Sequence, residues 1–450
     1  MGYGPISSIT RHEYAIFQNL GPLPIAGPRR MKIAVIGAGI IGVTTAFELA
    51  ADGHEVTVFE RRGAAAEETS FANAGVVSPA YVTPWAAPGM PGKVLRQLFS
   101  KHAAARLSWP LSSADISWMR KWRQACQLKH YLANRARLQR LAFYSRQRLD
   151  QITQALELDF DSAPGFMVLL RSEKEHRLAL PGLRLLRESG LAFNEITAAQ
   201  ARQIEPALNP DLKFHGAINL PDDGVANCRQ FALLLKTEAQ KRGVKFEFNT
   251  AVAQIERAQA ASILIAGENA PRQFDQIVLC AGVDSARLLN ALGMKIQLTA
   301  IYGYSVSAPI GEDFNAPRGA LMDERYKVAI SRLGMRVRVA GSAEIGGSLL
   351  RKSEAAINTL YKVLHDWFPG AAQHNHLGAS VQVWKGARPM LPDGPPVIGA
   401  SGLPGLWLNL GHGSSGWALS CGSARVLADL VAGKTADIDM EGLGFDRLRI

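Results

Sequence analysis

Gly37, Gly39, Gly42 and Glu60 stand at a spacing that can hold a dinucleotide. They belong to the stretch MKIAVIGAGIIGVTTAFELAADGHEVTVFE, which runs from Met31 to Glu60. In a GxGxxG turn the first glycine makes the tight bend, the second lets a pyrophosphate approach the backbone, and the third lets helix and strand pack closely. The N-terminus of the following helix offers free N–H groups to the phosphates. Glu60 lies about 20 residues beyond the glycines, where an acid accepts hydrogen bonds from a ribose. The motif alone does not separate FAD from NAD. Arg61 and Arg62 would suit a 2′-phosphate, but Glu60 just before them would repel one.

The elements around these residues support the reading. Ile33 to Ile36 forms a short apolar strand, Thr44 to Asp52 a helix stopped by Gly53, and Glu55 to Phe59 a second strand. The tail repeats the pattern: a strand over Leu406 to Leu410, the turn Gly411-His412-Gly413, and a helix from Ser414 to about Ala432. A helix start of this kind presents free donors to developing negative charge. Between these ends, residues 93 to 155 are expected to be helical, with a strand at Phe166 to Arg171 and a helix over Glu173 to Ser189. Thr197 to Gln200 forms a capping box opening another helix. Further helices span Arg229 to Arg242 and Ser353 to Phe368, and a buried strand covers Gln276 to Cys280. The segment Val383 to Gly394 sets Arg388 on a glycine-flanked turn.

The chain has 450 residues, 47% hydrophobic and 20% charged, with a formal net charge of +11. That suits an ordinary globular enzyme with room for two domains. The longest apolar run of the glycine stretch is too short to span a membrane. Residues 1 to 30 do not resemble a signal peptide, and they are expected to be a disordered leader. Four scattered cysteines without a CxxC pair argue for a reducing compartment, with no structural zinc, metal site or disulfide framework. Between Lys93 and Arg148 stand thirteen basic residues and one acid, with Trp85, Trp109, Trp118 and Trp122 in or beside them. Cations with interleaved indoles suit a peripheral membrane contact. The competing reading is a solvated helical face over buried tryptophans. No nucleic-acid-binding motif accompanies the charge, so no nucleic-acid partner is expected.

Four stretches together resemble a known family: the glycine motif through Glu60, ETSFANAGVVSPAYVTPWAAPG, LMDERYKVAISR, and the tail WKGARPMLPDGPPVIG with LWLNLGHGSSGWALSCGS. From Met31 nearly to its C-terminus the sequence resembles the FAD-dependent D-amino-acid dehydrogenases, within the wider group of D-amino-acid oxidase and glycine oxidase. The resemblance implies an α/β fold. A Rossmann-like FAD-binding domain would be built from discontinuous segments (31–115, 221–300 and 385–450). An inserted α+β substrate domain (116–220 and 301–384) would carry an antiparallel sheet.

By the same resemblance, FAD would be bound non-covalently through Gly37, Gly39, Ile40, Ile41, Gly42, Glu60 and Arg61. Ser70, Asn73, Ala74 and Gly75 would lie near the flavin, and Val252 by the adenine. Ala281 and Gly282 would meet the pyrophosphate, and Gly411, His412, Gly413 and Gly416 would border the flavin pyrimidine. Arg388 matches the arginine that pairs with the substrate carboxylate, a task suited to a guanidinium fork. Tyr302, Tyr304 and Tyr326 are candidates to share that role or to wall the site. His412 would position backbone or act chemically. Ala387 and Leu391 depart from the expected pattern, which bears on pocket size.

The implied reaction is oxidative deamination of D-amino acids such as D-alanine to 2-oxo acids and ammonia, by hydride transfer to flavin N5. Electrons would pass to a quinone or another respiratory acceptor. The implied location is cytoplasmic, with peripheral contact at the inner membrane. The alternatives are a D-proline or D-hydroxyproline dehydrogenase, an oxygen-using D-amino-acid or glycine oxidase, and a non-catalytic membrane flavoprotein.

Overall fold

The strand Lys32–Ile36 is buried at four of its five positions, as expected of a strand covered on both faces. It lies inside a six-stranded sheet ordered Val397–Ala400, Leu406–Leu410, Gln276–Leu279, Lys32–Ile36, Glu55–Phe59, Lys245–Glu247. All pairings are parallel except that of Val397–Ala400 with Leu406–Leu410. Ile36 is in register with both Phe59 and Leu279. The carboxyl ends of the central strands, drawn from distant parts of the sequence, therefore open on one crevice, where open α/β sheets bind ligands. The computed structural model describes residues 30–97, 100–256, 261–372 and 381–448. The expected leader, residues 1 to 30, lies outside the described residues except for Arg30.

The glycine-motif helix spans Ile40–Ala51 and begins directly after Gly39, not at Thr44. The hydroxyls of Thr44 and Thr45 bond back to the carbonyls of Ile40 and Ile41, so both threonines sit within the helix rather than at its cap. The tail helix Gly416–Val431 follows a single turn, Gly413–Ser415, and is buried along most of its length. It packs with Ile40–Ala51 and the long helix Leu128–Ala155 around one core.

A ten-stranded sheet forms the second layer. Its main path runs Gln382–Met390, Thr299–Pro309, Arg336–Gly346, Val328–Leu333, Ala320–Asp323, Ser162–Leu170, Gly216–Ala226, Val76–Val77. Ala105–Ser108 and Asn194–Thr197 are attached at its side. Most pairs are antiparallel; Ala320–Asp323 with Ser162–Leu170 and Arg336–Gly346 with Ala105–Ser108 are parallel. Two expectations change here. Ala105–Ser108 interrupts the stretch read as helical, and Arg388 lies inside the strand Gln382–Met390 rather than on a turn. Positions 221 and 385, drawn as domain boundaries, each fall within a strand of this sheet.

The two faces of the sheet differ in kind. Tyr304, Val306, Ala308, Val328, Ile330, Val337 and Val339 face one way and form a core with the helix Glu354–Trp367. The residues alternating with them, Gly303, Ser305, Ser307, Ser331 and Arg338, are small or polar.

The basic stretch divides as well. Trp118 and Trp122 are buried and stack with Trp85, at ring separations of 5.0 to 6.3 Å. Arg137 and Arg140 pair with Glu441 and Asp439, Arg146 with Asp150, and Arg148 with Glu48, while Arg135 is buried. Trp109 alone of the four indoles is open to solvent, at 76% exposure. No helix among the described residues is long and apolar enough to cross a membrane.

Candidate active site

The crevice at the strand ends is a cleft of about 1200 Å³ of empty volume. Gly37, Gly39, Ile40 and Ile41 line its first wall, and Glu60 and Arg61 lie at the end of the second strand. Thr69, Ser70, Val252, Ala281, Gly282, Gly411, His412, Gly413 and Gly416 complete much of the rest. Gly42 is not on the lining. A Cβ there would sit 1.8 Å from the Gly37 carbonyl oxygen, so its role is to let helix and turn touch. Gly37 has φ +102°, and a Cβ on it would lie 2.7 Å from the Cys280 carbonyl oxygen.

These residues fit a flavin dinucleotide. The cleft is walled largely by backbone and small residues, as a long cofactor needs, and it ends at a carboxylate. Glu60 accepts from Ala38 N–H through Oε2 and from Arg62 N–H through Oε1, both at 2.8 Å. These bonds orient the carboxylate while leaving lone pairs for ribose hydroxyls. Arg61 is engaged by Glu68 through two nitrogens, and that bond raises its pKa. Its charge is therefore balanced within the protein, which removes the case for a 2′-phosphate. Asn409, also on the lining, is fully buried, donates to Thr45 Oγ1 at 3.0 Å, and has an Oδ1 without a partner among the described residues.

The loop after Glu60 connects cleft to sheet. Ser70 Oγ accepts from Ile40 N–H at 3.0 Å, which caps the glycine-motif helix from outside the chain segment. Asn73, Ala74 and Gly75 are not on the cleft lining. Gly75 N–H bonds the Asn73 side chain, Asn73 O accepts from Arg338, and Ala74 O accepts from Ser331 Oγ. Asn73 and Ala74 are thus stitched to the polar face of the ten-stranded sheet.

Arg388 stands on that same polar face. Its flanking residues reach the cleft: Pro389 lines it, and Thr69 Oγ1 donates to the Ala387 carbonyl at 2.6 Å. The guanidinium lies across Gly303, where a Cβ would come within 2.2 Å of Nη2. Nη1 donates to the Ser342 carbonyl at 2.8 Å. Ser342 occupies an irregular step of its strand with φ +62°, which turns that carbonyl toward the arginine. No carboxylate pairs with Arg388 among the described residues. Burial lowers its pKa to about 10, so it stays charged at neutral pH. Arg338, on the same face, likewise has no carboxylate partner among the described residues, but Ser307 Oγ and the Asn73 carbonyl hold it, whereas Arg388 has the Ser342 carbonyl.

The aromatic candidates are placed otherwise. Tyr302 is in register with Ala387 and Tyr304 with Lys385, whereas Arg388 pairs with Ile301. The pleat therefore puts both tyrosines, and Ala387, on the face opposite Arg388. Tyr304 is buried and gives its hydroxyl proton to Glu344, which also holds Lys385. Tyr302 lies under the Lys385 ammonium, 4.5 Å from its ring centroid. Tyr326 packs with Arg171, Lys362 and His102, and is not on the cleft lining. Tyr302 and Tyr304, two residues apart, share one face of their strand, but only the register shows that it is not the face of Arg388. His412 touches the cleft but is almost fully buried, with Nε2 3.1 Å from Ser423 Oγ. Burial pushes its pKa down to about 3, so it stays neutral and serves to hold the turn.

Sequence reading missed Thr69, Gly303, Ser342 and Asn409. The signal for Gly303 is the alternation in Thr299–Pro309, TAIYGYSVSAP, which sets small residues against large ones with period two.

Residues 32–430 match the family model described as FAD dependent oxidoreductase. A D-amino acid dehydrogenase of Cereibacter sphaeroides is 40% identical over 422 residues, which cover 93% of this chain and 95% of that protein. One of Rhizobium rhizogenes is 39% identical over 421 residues, 93% of this chain and all of that one. Among solved structures, glycine oxidase from Geobacillus kaustophilus superposes with a TM-score of 0.72 at 20% identity, over 92% of this chain and 98% of that chain. With its cleft, its glycine turns and these relatives, the chain belongs to the FAD-dependent oxidoreductase family, and its cofactor is FAD.

Proposed function

We propose that this enzyme oxidatively deaminates D-amino acids. The observation that carries the reading is Arg388, a partly buried guanidinium without a carboxylate partner among the described residues, next to Pro389 of the flavin cleft. An amino acid supplies the missing anion, and a bidentate fork fixes both its carboxylate oxygens. FAD, when bound, accepts the electron pair and hydrogen released from Cα. Arg388, oriented by its bond to the Ser342 carbonyl, holds the carboxylate end, so Cα–H is presented to the cleft in one orientation. The resulting imino acid is hydrolysed by water to a 2-oxo acid and ammonia. Neither His412 nor Tyr304 is placed to take a proton, which is why the amine must arrive neutral.

The preference for D-amino acids rests on the relatives' names. The test is anaerobic bleaching of the yellow holoenzyme by D-alanine, L-alanine and D-proline, each added separately. Bleaching by D-alanine supports the reading; bleaching by no amino acid overturns it.

We assign electron delivery to a membrane quinone, with docking through a tip distinct from the basic helices. Ser108 and Gly346 are in register at the ends of paired strands. Beyond them stand Trp109, Leu349 and Leu350, the last 94% exposed, followed by Arg351 and Lys352. An exposed indole and leucines beside cations fit an anionic lipid surface. The double variant Trp109→Ser, Leu350→Ser should lose sedimentation with anionic vesicles. Full retention would remove this tip from the account.

A further inference from the structure

The polar sheet face holds a second device beside Arg388. Gly303 and Gly386 are direct register partners on neighbouring strands. Cβ atoms at such a pair point the same way and stand about 5 Å apart. Neither glycine has a Cβ, and each vacancy is filled by a different side chain. A Cβ on Gly303 would collide with the Arg388 guanidinium, and one on Gly386 would lie 1.7 Å from Cη2 of Trp384. The indole and the guanidinium therefore lie flat and side by side on a floor of two glycines. Trp384, Gly386 and Arg388 alternate along one strand and so share this face. The face has unspent polar capacity: Ser305, the register partner of Trp384, and Ser342 both have buried hydroxyls without partners among the described residues.

We propose that Trp384 is the specificity-determining wall of the substrate pocket, set beside the carboxylate arginine by the Gly303–Gly386 floor, so that it selects D-amino acids with small side chains. The inference rests on the reading of Arg388 as the carboxylate anchor. A substrate tethered at Arg388 has its Cα within a few bond lengths of the guanidinium, so the neighbouring indole stands within reach of its side chain. Gly386 is as necessary as the tryptophan, because any side chain there would lift the ring from its seat. Apolar walls of this sort discriminate by roughly 10- to 200-fold per methylene.

The test compares kcat/KM for D-alanine and D-leucine in wild type, Trp384→Phe, Trp384→Leu and Gly386→Ala holoenzymes. The D-leucine to D-alanine ratio should rise about tenfold or more in Trp384→Leu and in Gly386→Ala, and less in Trp384→Phe. A ratio unchanged within a factor of two in Trp384→Leu, with the FAD spectrum intact, would overturn the proposal. A second measurement needs no turnover: acetate and phenylacetate are titrated into the holoenzyme while the flavin absorbance is followed. Tighter phenylacetate binding in Trp384→Leu, with acetate binding unchanged, supports the wall. Equal shifts for both acids speak against it. If wild type reduces with no amino acid but acetate binding still depends on Arg388, the deaminase reading fails and the wall is still decided by this titration.

Discussion

Arg425 and Arg388 are both guanidinium groups withdrawn from water, and only Arg425 is surrounded by anions. Arg425 reaches Glu48, Asp52 and Asp429, and Arg148 closes on Glu48 from the other side. Burial works against its charge, but the acids outweigh it and its pKa is raised. Among the described residues Arg388 has only a carbonyl oxygen as hydrogen-bond partner, and burial lowers its pKa. The first cluster fastens the glycine-motif helix to the tail helix, since Glu48 lies in one and Arg425 in the other. The second guanidinium has no acid partner among the described residues, and its neighbour Pro389 lines the cleft. A buried charge that completes its own pairing serves the architecture; one without an acid of its own is a candidate for binding an anion.

The comparison can be broken at several points. Replacing Arg388 with Met should lower kcat/KM for D-alanine by about 10³-fold, or roughly 4 kcal/mol, because two charge-assisted bonds to the carboxylate are lost. Its thermal stability should stay level or rise, since a buried unpaired cation is removed; steady-state kinetics and calorimetry together check this. Arg425→Met should do the reverse. It leaves the fully buried Glu48 with one partner fewer and should cost about 3 kcal/mol or more of stability, with the substrate ratio unchanged in whatever folds. If Arg425→Met is as stable as wild type, the contrast between the two arginines fails.

The pH profile separates them more gently. In the free enzyme kcat/KM should climb from pH 6 as the substrate amine loses its proton, then fall above about pH 10 as Arg388 loses its own. His412, held down at about 3, should contribute no limb between pH 5 and 9. It should instead affect stability at acid pH. The unfolded histidine binds a proton below its ordinary pKa near 6.5 while the folded one does not until about 3, so stability drains away as pH falls through that window. Chemical denaturation of wild type and His412→Asn at pH 7 and pH 4.5 would show whether the slope belongs to this residue. The smallest effect is expected at Ser342. Its carbonyl holds Arg388 and its hydroxyl has no partner among the described residues. Ser342→Ala should therefore change stability by under about 0.5 kcal/mol. A larger loss would reveal a partner for the hydroxyl.

The cofactor half of the site was legible in the sequence because its signals are local. Gly37, Gly39 and Gly42 fall within six residues, Glu60 follows at a fixed distance, and the tail repeats strand, glycine turn and helix. Each of these arrangements is set by backbone geometry over a single βα unit. The substrate half was legible only in part. Arg388 was found through a motif, but its setting was misread as a turn, because Gly386 and Pro389 suggest bends when taken alone. In the sheet Gly386 is the seat of an indole, and Pro389 meets the cleft. Tyr302, Tyr304 and Tyr326 looked equivalent as aromatic residues near a strand-rich region. Register sent the first two to the face opposite Arg388, and the third to the cluster around Arg171.

The charge count shows the same division. Thirteen basic residues in one stretch are a fact of sequence, but pairing Arg137 and Arg140 with acids some 300 positions away is not. By itself, then, the sequence determined a nucleotide-binding βαβ start, a matching tail and an arginine suited to a carboxylate. These depend on short-range stereochemistry and on residue type. The tertiary structure alone decided which side of the sheet each residue faces, which charges find partners, and which glycine vacancies are filled by a distant side chain. Those outcomes follow from strand register, and a shift of one residue would have exchanged every one of them.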